Sequence, residues 1–340
     1  MRLSGLSRID PAAGADRRAD RPAAERPADR DEFAAAVRAG LTKHGQKELP
    51  SKYLYDPLGT ALFETITLLP EYGLTRADDR VLRRCAPQVA AAFDAEMDIA
   101  EFGSGTGQKS RIIIEAVAAL QESVDFYPID VSAAALDACA RELDGVARVS
   151  GLRATYLDGL RTIAEGRTNG NALLLLFLGS TIGNFERAGA RDFLVQVRAH
   201  LRAGDAMLIG ADLVKPAAQL VAAYDDPTGV TACFNRNLLG RINRELDGGF
   251  DLRAFEHEAR YNAVERRIEM HLRSAIQQEV SIGVPGFTVS FDAGETIWTE
   301  SSHKFELAEL DSMARAAGFH VYNTWTDDEW PFAESLWLAA

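Results

Sequence analysis

The sequence predicts an α/β protein in which a doubly wound, largely parallel sheet is joined to a second, smaller α+β domain. Residues 97–110 have the pattern of a buried strand, a glycine-rich turn and a helix start, as in a nucleotide-binding corner. Strand-like and helix-like segments then alternate as far as residue 214. Beyond that point two helical segments follow each other and half-exposed β segments come next, so a different architecture begins there.

Composition excludes several classes of protein. The 340 residues are 47% hydrophobic, which is enough for one large core or two smaller ones. A net charge of −13 argues against nucleic acid or an anionic membrane as the partner. No apolar run approaches the ~20 residues that span a bilayer. Cys85, Cys139 and Cys233 lack metal-site spacing and are expected to be reduced, buried thiols, so we expect a cytoplasmic protein.

The first part of the chain is predicted to contain a tail and three helices. Residues 1–30 are rich in Ala, Arg, Asp and Pro, which indicates a disordered tail, and they show no apolar signal-peptide core. Helical spacing of apolar residues follows at 33, 37 and 41. A turn at residues 55–57 precedes a short helix that Thr60 is expected to cap, and another helix is predicted over 77–92.

Polar residues and glycines follow several strands of the predicted sheet. The strands are 124–129, ending at Asp130; 153–157, ending at Asp158 and Gly159; and 172–178, ending at Gly179 and the segment to Asn184. The carboxyl ends of parallel strands meet at one edge, where Gly103, Gly105 and Gly107 also lie. We therefore predict a nucleotide-type cofactor there, with Asp130 on its ribose hydroxyls. Taken alone, each acid is equally consistent with a helix cap or a solvated loop.

The remaining segments complete two predicted domains. They are helix 186–202, strand 205–211, helices 216–224 and 229–246, β segments 254–262, 266–274 and 277–282, helix 305–317, and strands 319–325 and 334–339. Residues 77–214 and 305–340 are assigned to a cofactor-binding domain, and 31–76 with 215–304 to a substrate-binding domain. A terminal strand pair is not expected of a plain dinucleotide-binding fold.

Four sequence blocks carry a resemblance to a known family. Residues 101–107, Glu-Phe-Gly-Ser-Gly-Thr-Gly, resemble the first motif of S-adenosylmethionine-dependent methyltransferases. With the blocks at 55–76, 177–185 and 299–305, residues 45–340 resemble the histidine Nα-methyltransferases of ergothioneine biosynthesis. The resemblance implies a Rossmann-like class I methyltransferase sheet with an antiparallel last strand. Gly73-Leu74 and His303 depart from the family pattern, the first at a segment that could alter a lid over the site.

The resemblance also implies the residues of the site. S-adenosylmethionine, the methyl donor, would be held by Gly103, Gly105, Lys109, Asp130, Asp158 and Gly159. The amino-acid end of L-histidine would be held by Tyr72, Asn184 and Tyr224; its amine and ring would be surrounded by Tyr55, Phe63, Gly179 and Met270; and its imidazole would be bound by Glu300 and Ser302. Tyr55 and Asn184 would be the catalytic residues. Three methyl transfers would give hercynine, without a metal, and a monomer is expected.

The chemistry agrees with this set, although other readings stay open. A sulfonium is already a strong electrophile, so alignment and desolvation of a neutral amine suffice. Tyr55, directly or through water, could pass on the proton that the α-ammonium releases. The alternatives are a methyltransferase for tryptophan or a histidine derivative, a nicotinamide-dependent oxidoreductase, and a non-catalytic cofactor-binding module. Glu300 and Ser302 favour histidine, because an indole pocket would not place a carboxylate there; by sequence alone, Glu300 could equally lie on a strand surface.

Overall fold

The structure, a computed structural model, describes residues 27–168 and 170–339. The helices are α1 (Pro27–Leu41), α2 (Pro57–Thr67), α3 (Leu74–Ala90), α4 (Gln108–Ala118), α5 (Ala133–Glu142), α6 (Tyr156–Gly166), α7 (Arg187–Ala199), α8 (Ala217–Tyr224), α9 (Val230–Leu246) and α10 (Leu307–Ala316). Short 3-10 turns cover Ser51–Leu54, Thr181–Asn184 and Leu252–Ala254.

The strands of the described residues form three sheets. They are β1 (Lys47–Glu48), β2 (Met97–Phe102), β3 (Asp125–Asp130), β4 (Arg148–Val149), β5 (Leu152–Arg153), β6 (Ala172–Phe177), β7 (Ala206–Asp212), β8 (Phe255–Asn262), β9 (Arg267–Ser274), β10 (Gln278–Ile282), β11 (Phe287–Phe291), β12 (Thr296–His303), β13 (Phe319–Thr326) and β14 (Phe332–Ala339). The large sheet has the order β13-β14-β7-β6-β2-β3-β4, with β5 also beside β3. A four-stranded sheet has the order β1-β12-β9-β8, and β10 pairs with β11.

The large sheet is parallel except at one edge, as predicted. The pairs β2–β3, β2–β6 and β6–β7 are parallel, whereas β14 runs antiparallel to both β7 and β13. Side chains of β6 alternate between two cores: Leu173, Leu175 and Phe177 enter one, and Leu174 and Leu176 enter the other. Because helices cover both faces, this strand is apolar throughout, which is why a continuous run of leucines occurs there.

A third core lies outside the large sheet. It gathers apolar side chains from α1, α2, α9 and the four-stranded sheet, among them Phe33, Ile66, Leu238 and Met270. Trp330 and Phe332 from the last part of the chain also belong to it. We call it the outer core. The division into two domains and its boundaries stay a prediction.

The structure corrects several predicted elements near the start of the chain. Helix α1 begins at Pro27, inside the segment predicted to be a tail, and residues 1–26 lie outside those described. Helix α2 begins at Pro57 and is capped by Asp56, which accepts the Gly59 N–H at 2.7 Å, so Thr60 is not its cap. Helix α3 starts at Leu74, three residues before the predicted start.

The strand predicted over 153–157 was wrong. In this part of the chain the strand pairing with β3 covers only Leu152 and Arg153, and helix α6 begins at Tyr156. Thr155 caps this helix by accepting the Asp158 N–H. Asp158 and Gly159 therefore lie in the first turn of a helix and do not follow a strand directly. Strands β11 and β12 were not assigned from the sequence.

Three further findings bear on the predictions from composition. No helix in the described part of the chain combines the length and the apolar character that a membrane crossing requires. Among residues 27–168 and 170–339, no three His, Cys, Asp or Glu side chains are grouped so that they could hold a metal ion. Cys85 and Cys139 are buried free thiols as expected, whereas Cys233 is exposed.

Candidate active site

The glycine turn after β2 requires backbone conformations that glycine adopts easily. Gly103, Gly105 and Gly107 have φ angles of +67°, +52° and +80°, all in the left-handed region. The Gly103 N–H donates to the Ile129 carbonyl at 2.8 Å, which holds the turn against β3. A Cβ at Gly103 would lie 2.9 Å from Tyr156 Oη, so no larger residue fits without displacing that ring. The turn therefore presents backbone, with little room for a side chain at Gly103, at the carboxyl edge of the sheet.

Asp130 lies at the end of β3, beside the glycine turn. Its Oδ1 accepts the Ser132 N–H at 2.8 Å. Burial raises the pKa of Asp130, while backbone N–H donors of Ser132 and Gly105 act in the opposite direction. A half-buried carboxylate next to exposed glycines has the geometry to accept hydroxyl groups from a ligand.

Lys109, in the first turn of α4, is tied to a residue that the sequence did not single out. Its Nζ donates to Asp78 Oδ2 at 2.6 Å, and the Gly179 N–H donates to the same oxygen at 3.2 Å. A Cβ at Gly179 would lie 3.2 Å from Lys109 Nζ. Asp78, on α3, therefore links the glycine turn to the end of β6. No local motif marks it, because its partners lie far away in the chain.

A second carboxyl group lies behind Asp78. Glu334, on β14, is fully buried, and burial followed by the charge of Asp78 raises its pKa well above the ordinary value. Burial and the Asp78 charge thus favour the protonated form of Glu334, which can donate to Asp78; this would account for the oxygens of both groups that have no other donor among the described residues. A Cβ at Gly210 would lie 2.6 Å from Glu334 Oε1, so glycine leaves room for this carboxyl group.

Asp158 and Gly159 are placed differently from the other predicted cofactor residues. The exposed Asp158 carboxylate accepts the Thr155 hydroxyl at 2.7 Å and an Arg161 N–H at 2.6 Å. Gly159 is buried against Ile129, where a Cβ would lie 2.5 Å from Cγ2. Both lie at the same edge as Asp130, because Ala154 N–H is bonded to the Asp130 carbonyl. Their assignment to the cofactor stays a prediction.

Aromatic side chains from four segments form one wall on the outer-core side. The ring centroids of Tyr55 and Phe63 are 5.5 Å apart, those of Phe63 and Tyr72 are 6.3 Å apart, and those of Tyr72 and Tyr224 are 5.9 Å apart. Phe234 of α9 completes the wall at 5.5 Å from Tyr55. Sequence reasoning missed Phe234, since its helical spacing marks it simply as a core residue.

One face of β12 carries polar side chains toward this wall. Ser302 Oγ and Tyr224 Oη are 2.8 Å apart. Glu300 is buried, and desolvation raises its pKa to about 7, opposed by Lys304 and by a hydrogen bond from Tyr55. Met270 lies opposite Glu300 in the register of β9 and β12. Burial also raises the pKa values of Tyr55 and Tyr72 well above their ordinary range, so both hydroxyls stay protonated.

The turn after β6 brings Gly179 and Asn184 close to the same strand. Gly179 and Ser180 have φ angles of +71° and +60°, and the Ser180 hydroxyl accepts the Asp212 N–H at 2.9 Å. Gly183 packs so closely that a Cβ would lie 2.9 Å from the carbonyl oxygen of His303. Asn184, half-buried at the end of this turn, thus lies between the carboxyl edge of the large sheet and β12.

The predicted residues therefore fall into two adjoining groups. The glycine turn, Lys109 and Asp130 form one group, and the aromatic wall with the β12 face forms the other. Asp78 and the Gly179 turn join them. Such an arrangement can hold two small molecules side by side, one at the edge of the sheet and one against the wall.

Comparison with known proteins identifies the family. The profile of the family described as "Histidine-specific methyltransferase, SAM-dependent" matches residues 33–339. The histidine N-alpha-methyltransferase of Mycobacterium tuberculosis is 44% identical over 304 residues, covering 88% of this chain and 92% of that protein. The enzyme of the same name from Mycolicibacterium smegmatis is 41% identical over 305 residues, with the same coverage.

More distant similarity extends to another amino-acid substrate. The L-tryptophan methyltransferase of Psilocybe serbica is 26% identical over 321 residues, covering 87% of this chain and 89% of that protein. The match to the histidine-specific family spans both groups of site residues and nearly the whole described chain. The chain therefore belongs to the histidine-specific, S-adenosylmethionine-dependent methyltransferases.

Proposed function

We propose that this protein transfers three methyl groups from S-adenosylmethionine to the α-amino nitrogen of L-histidine, which yields hercynine. The observation that carries the proposal is the polar face of β12. There a buried carboxyl group, Glu300, and a buried hydroxyl, Ser302, lie beside three tyrosines. The two relatives above 40% identity, both named for this reaction, support the same substrate.

The residues at the edge of the sheet fit the methyl donor. The positive φ angles at Gly103 and Gly105 let backbone approach a ligand closely, and around Gly105 even a Cβ would meet no neighbour within 4 Å. Asp130 supplies a carboxylate suited to ribose hydroxyls, and Lys109 supplies an ammonium suited to the amino-acid carboxylate. When bound, S-adenosylmethionine supplies an electrophilic methyl group. Asp158 and Gly159 are proposed as contacts of the adenine.

Tyr55 suits a proton relay better than an ionised base. Its pKa lies well above the ordinary range because of burial and then the charge of Glu300, so the hydroxyl keeps its proton. The oxygen can accept a hydrogen bond from the substrate amine while the O–H donates to Glu300. A carboxylate in direct contact would instead stabilise the ammonium and hinder attack. We propose Asn184 and the Gly179 carbonyl as neutral partners that orient the amine.

The polar groups at the ends of the pocket account for the selection of a substrate with an imidazole side chain. Glu300 can accept an imidazole N–H, and Ser302 can contact the other ring edge. Phe63 and Met270 would pack against the ring, and Tyr72, Asn184 and Tyr224 would hold the carboxylate. An apolar side chain would leave Glu300 unpaired in a buried site, which costs on the order of several kcal/mol.

Mass spectrometry of reaction products tests this proposal. The purified protein is incubated with S-adenosylmethionine and, separately, with histidine, tryptophan, phenylalanine and Nα-methylhistidine. We expect a gain of three methyl groups on histidine and of two on Nα-methylhistidine, with no product from phenylalanine. Methylation of tryptophan in preference to histidine, or no transfer to any amino acid, would contradict the proposal.

A further inference from the structure

A buried lysine next to the β12 face has no part in the mechanism above. Lys304 comes directly after β12, and its side chain is fully buried. Its Nζ donates to Ser302 Oγ at 2.8 Å and to Tyr224 Oη at 3.1 Å. Because side chains alternate along an extended segment, Glu300, Ser302 and Lys304 share one face. An acid, a hydroxyl and a cation thus follow one another along the pocket.

The charges around Lys304 do not balance. Its Nζ lies 2.9 Å from Asp212 Oδ2, and Lys215 forms a second buried ion pair with the same carboxylate. Burial alone would raise the pKa of Asp212, but Lys304 and Lys215 hold it below the ordinary value. Burial lowers the pKa of Lys215 to about 8, so it remains largely protonated at neutral pH. Two ammonium groups therefore face one carboxylate.

The remaining partners of Asp212 do not remove this excess. Trp330 Nε1 donates to Asp212 Oδ1 at 2.9 Å, and Lys215 Nζ lies 4.7 Å from the centre of the Trp330 ring. Lys215 also donates to the Leu213 carbonyl at 2.8 Å. The charge of Lys304 acts to lower the pKa of Glu300. The Glu300 carboxyl group, however, accepts a hydrogen bond from Tyr55 and is assigned to the imidazole of the substrate. One positive charge is left for an anionic group of the ligand.

The proposed carboxylate contacts are all neutral. Tyr72, Asn184 and Tyr224 can donate hydrogen bonds, but neutral donors alone offset only part of the cost of burying a carboxylate. Lys304 can only donate, so it occupies one lone pair of Tyr224 and one of Ser302. Because these two hydroxyls also bond to each other, one O–H of the pair is left to donate into the pocket. It therefore both orients the hydroxyls and supplies a counter-charge.

We propose that Lys304 is a positioning residue that makes the site selective for amino acids with a free α-carboxylate, acting through the hydroxyl of Tyr224. This inference rests on the proposed function, since it assumes that the amino-acid end of the substrate lies at Tyr72 and Tyr224. It adds a requirement that the proposed contacts alone do not contain: the ligand must bring a negative charge to this end.

Calorimetry with two nearly isosteric ligands tests the role of Lys304. L-histidine and L-histidinamide, which lacks the negative charge, are titrated into the wild type, Lys304→Gln and Lys215→Gln in the presence of S-adenosylhomocysteine. We expect Lys304→Gln to reduce the histidine-to-histidinamide affinity ratio about ten-fold or more, because charged hydrogen-bonded pairs are strongly coupled. Lys215→Gln removes an equal charge whose hydrogen bonds go to Asp212 and Leu213 rather than to Tyr224, so it should change the ratio less than about three-fold.

Further measurements separate this role from a loss of structure. Lys304→Arg keeps the charge and should retain most of the ratio, and Lys304→Gln should raise the KM for histidine more than it lowers kcat. Unchanged binding of S-adenosylhomocysteine shows that each variant is folded. If Lys304→Gln does not fold, the wild type still tests the inference. A histidine-to-histidinamide affinity ratio near one in the wild type would overturn it.

The failure of this inference is distinguishable from failure of the proposed function. An unchanged ratio in Lys304→Gln, or an equal drop in Lys215→Gln, overturns the role of Lys304 while histidine is still methylated. Absence of any histidine methylation by the wild type contradicts the proposed function itself.

Discussion

Burial sets the charge of single residues in the candidate site. The hydroxyls of Tyr55 and Tyr72 stay protonated because their pKa values are raised far above neutral pH. Glu300 differs, since its pKa of about 7 lets it change charge near physiological pH. In the ligand-free protein this carboxyl group is held partly protonated by desolvation, although an ionised form is required to accept an imidazole N–H most strongly.

The Glu300 shift predicts a pH-dependent contribution to stability. The folded protein holds the proton up to about pH 7, whereas the unfolded chain loses it near pH 4.5. The wild type should therefore lose stability relative to Glu300→Gln as pH rises from 4.5 to 7, by at most about 3 kcal/mol, and the difference should level off above pH 7. Urea unfolding of both ligand-free proteins between pH 4.5 and 8.5 measures it.

Comparing the two proteins isolates Glu300. The other carboxyl groups of the described residues with a raised pKa, Glu101, Asp130 and Glu334, are present in both and cancel in the difference. A difference in the free energy of unfolding that stays constant from pH 4.5 to 8.5 would mean that Glu300 ionises normally in the folded protein. In that case the pocket would be wetter than its buried side chains indicate.

A single site residue could be predicted from the sequence only where its partners lie close to it in the chain. Glu300 and Ser302 lie two positions apart on one strand, so a short motif identified both. Lys304 continues the same alternation and could have been included on that basis. Asp78 and Glu334 could not be found in this way, because each is defined by a partner brought close only by the fold.

At the scale of elements, strand and helix order was predictable because apolar periodicity determines it, but boundaries depended on capping contacts. Ala154, Tyr156 and Leu157 are apolar and led to a predicted strand. In the structure the Thr155 hydroxyl accepts the Asp158 N–H, and this cap starts helix α6 instead. Strands β11 and β12 were missed because their pairing partners, rather than their own pattern, determine their extent.

The cap of α2 also fixes the segment that carries Tyr55. Asp56 Oδ1 accepts the Gly59 N–H at 2.7 Å and an Asn237 N–H at 2.6 Å, and Oδ2 accepts Arg244 at 2.6 Å. Asp56→Ala should lower the free energy of unfolding by about 2–4 kcal/mol, because it removes a cap and the acceptor of the buried Asn237 amide and of Arg244. Urea unfolding measures the loss, and calorimetry should show weaker histidine binding through displacement of Tyr55.

Asp251 offers a matched control for this cap. It accepts the Arg253 N–H at 3.0 Å at the start of a short, exposed 3-10 turn, and no buried side chain in the described part of the chain is bonded to its carboxylate. Asp251→Ala should therefore cause a much smaller loss of stability and leave histidine affinity unchanged. Equal losses in the two variants would show that the contacts of Asp56 to α9 contribute little.

At the scale of the whole molecule, helix α3 connects the two groups of site residues. Its first turn contributes Leu74 and Ala77 to the outer core, whereas Val81 and Leu82 pack beneath the large sheet. Asp78 lies where the helix passes from one core to the other. There it holds both Lys109, on the cofactor side, and the Gly179 N–H, on the substrate side. The two ligands should consequently bind cooperatively.

Asp78→Asn should weaken this cooperativity, because an amide cannot hold the Lys109 ammonium as a carboxylate does and no longer accepts the Glu334 proton equally well. We expect S-adenosylhomocysteine affinity to fall roughly ten-fold and the gain in histidine affinity that it causes to shrink. Calorimetric titration of histidine with and without S-adenosylhomocysteine measures both quantities.

The neighbouring Asp79→Asn, which removes only an exposed pair with Arg83, is the control and should change neither. If Asp78→Asn weakens cofactor binding but leaves the gain in histidine affinity intact, the two halves of the site communicate by another route.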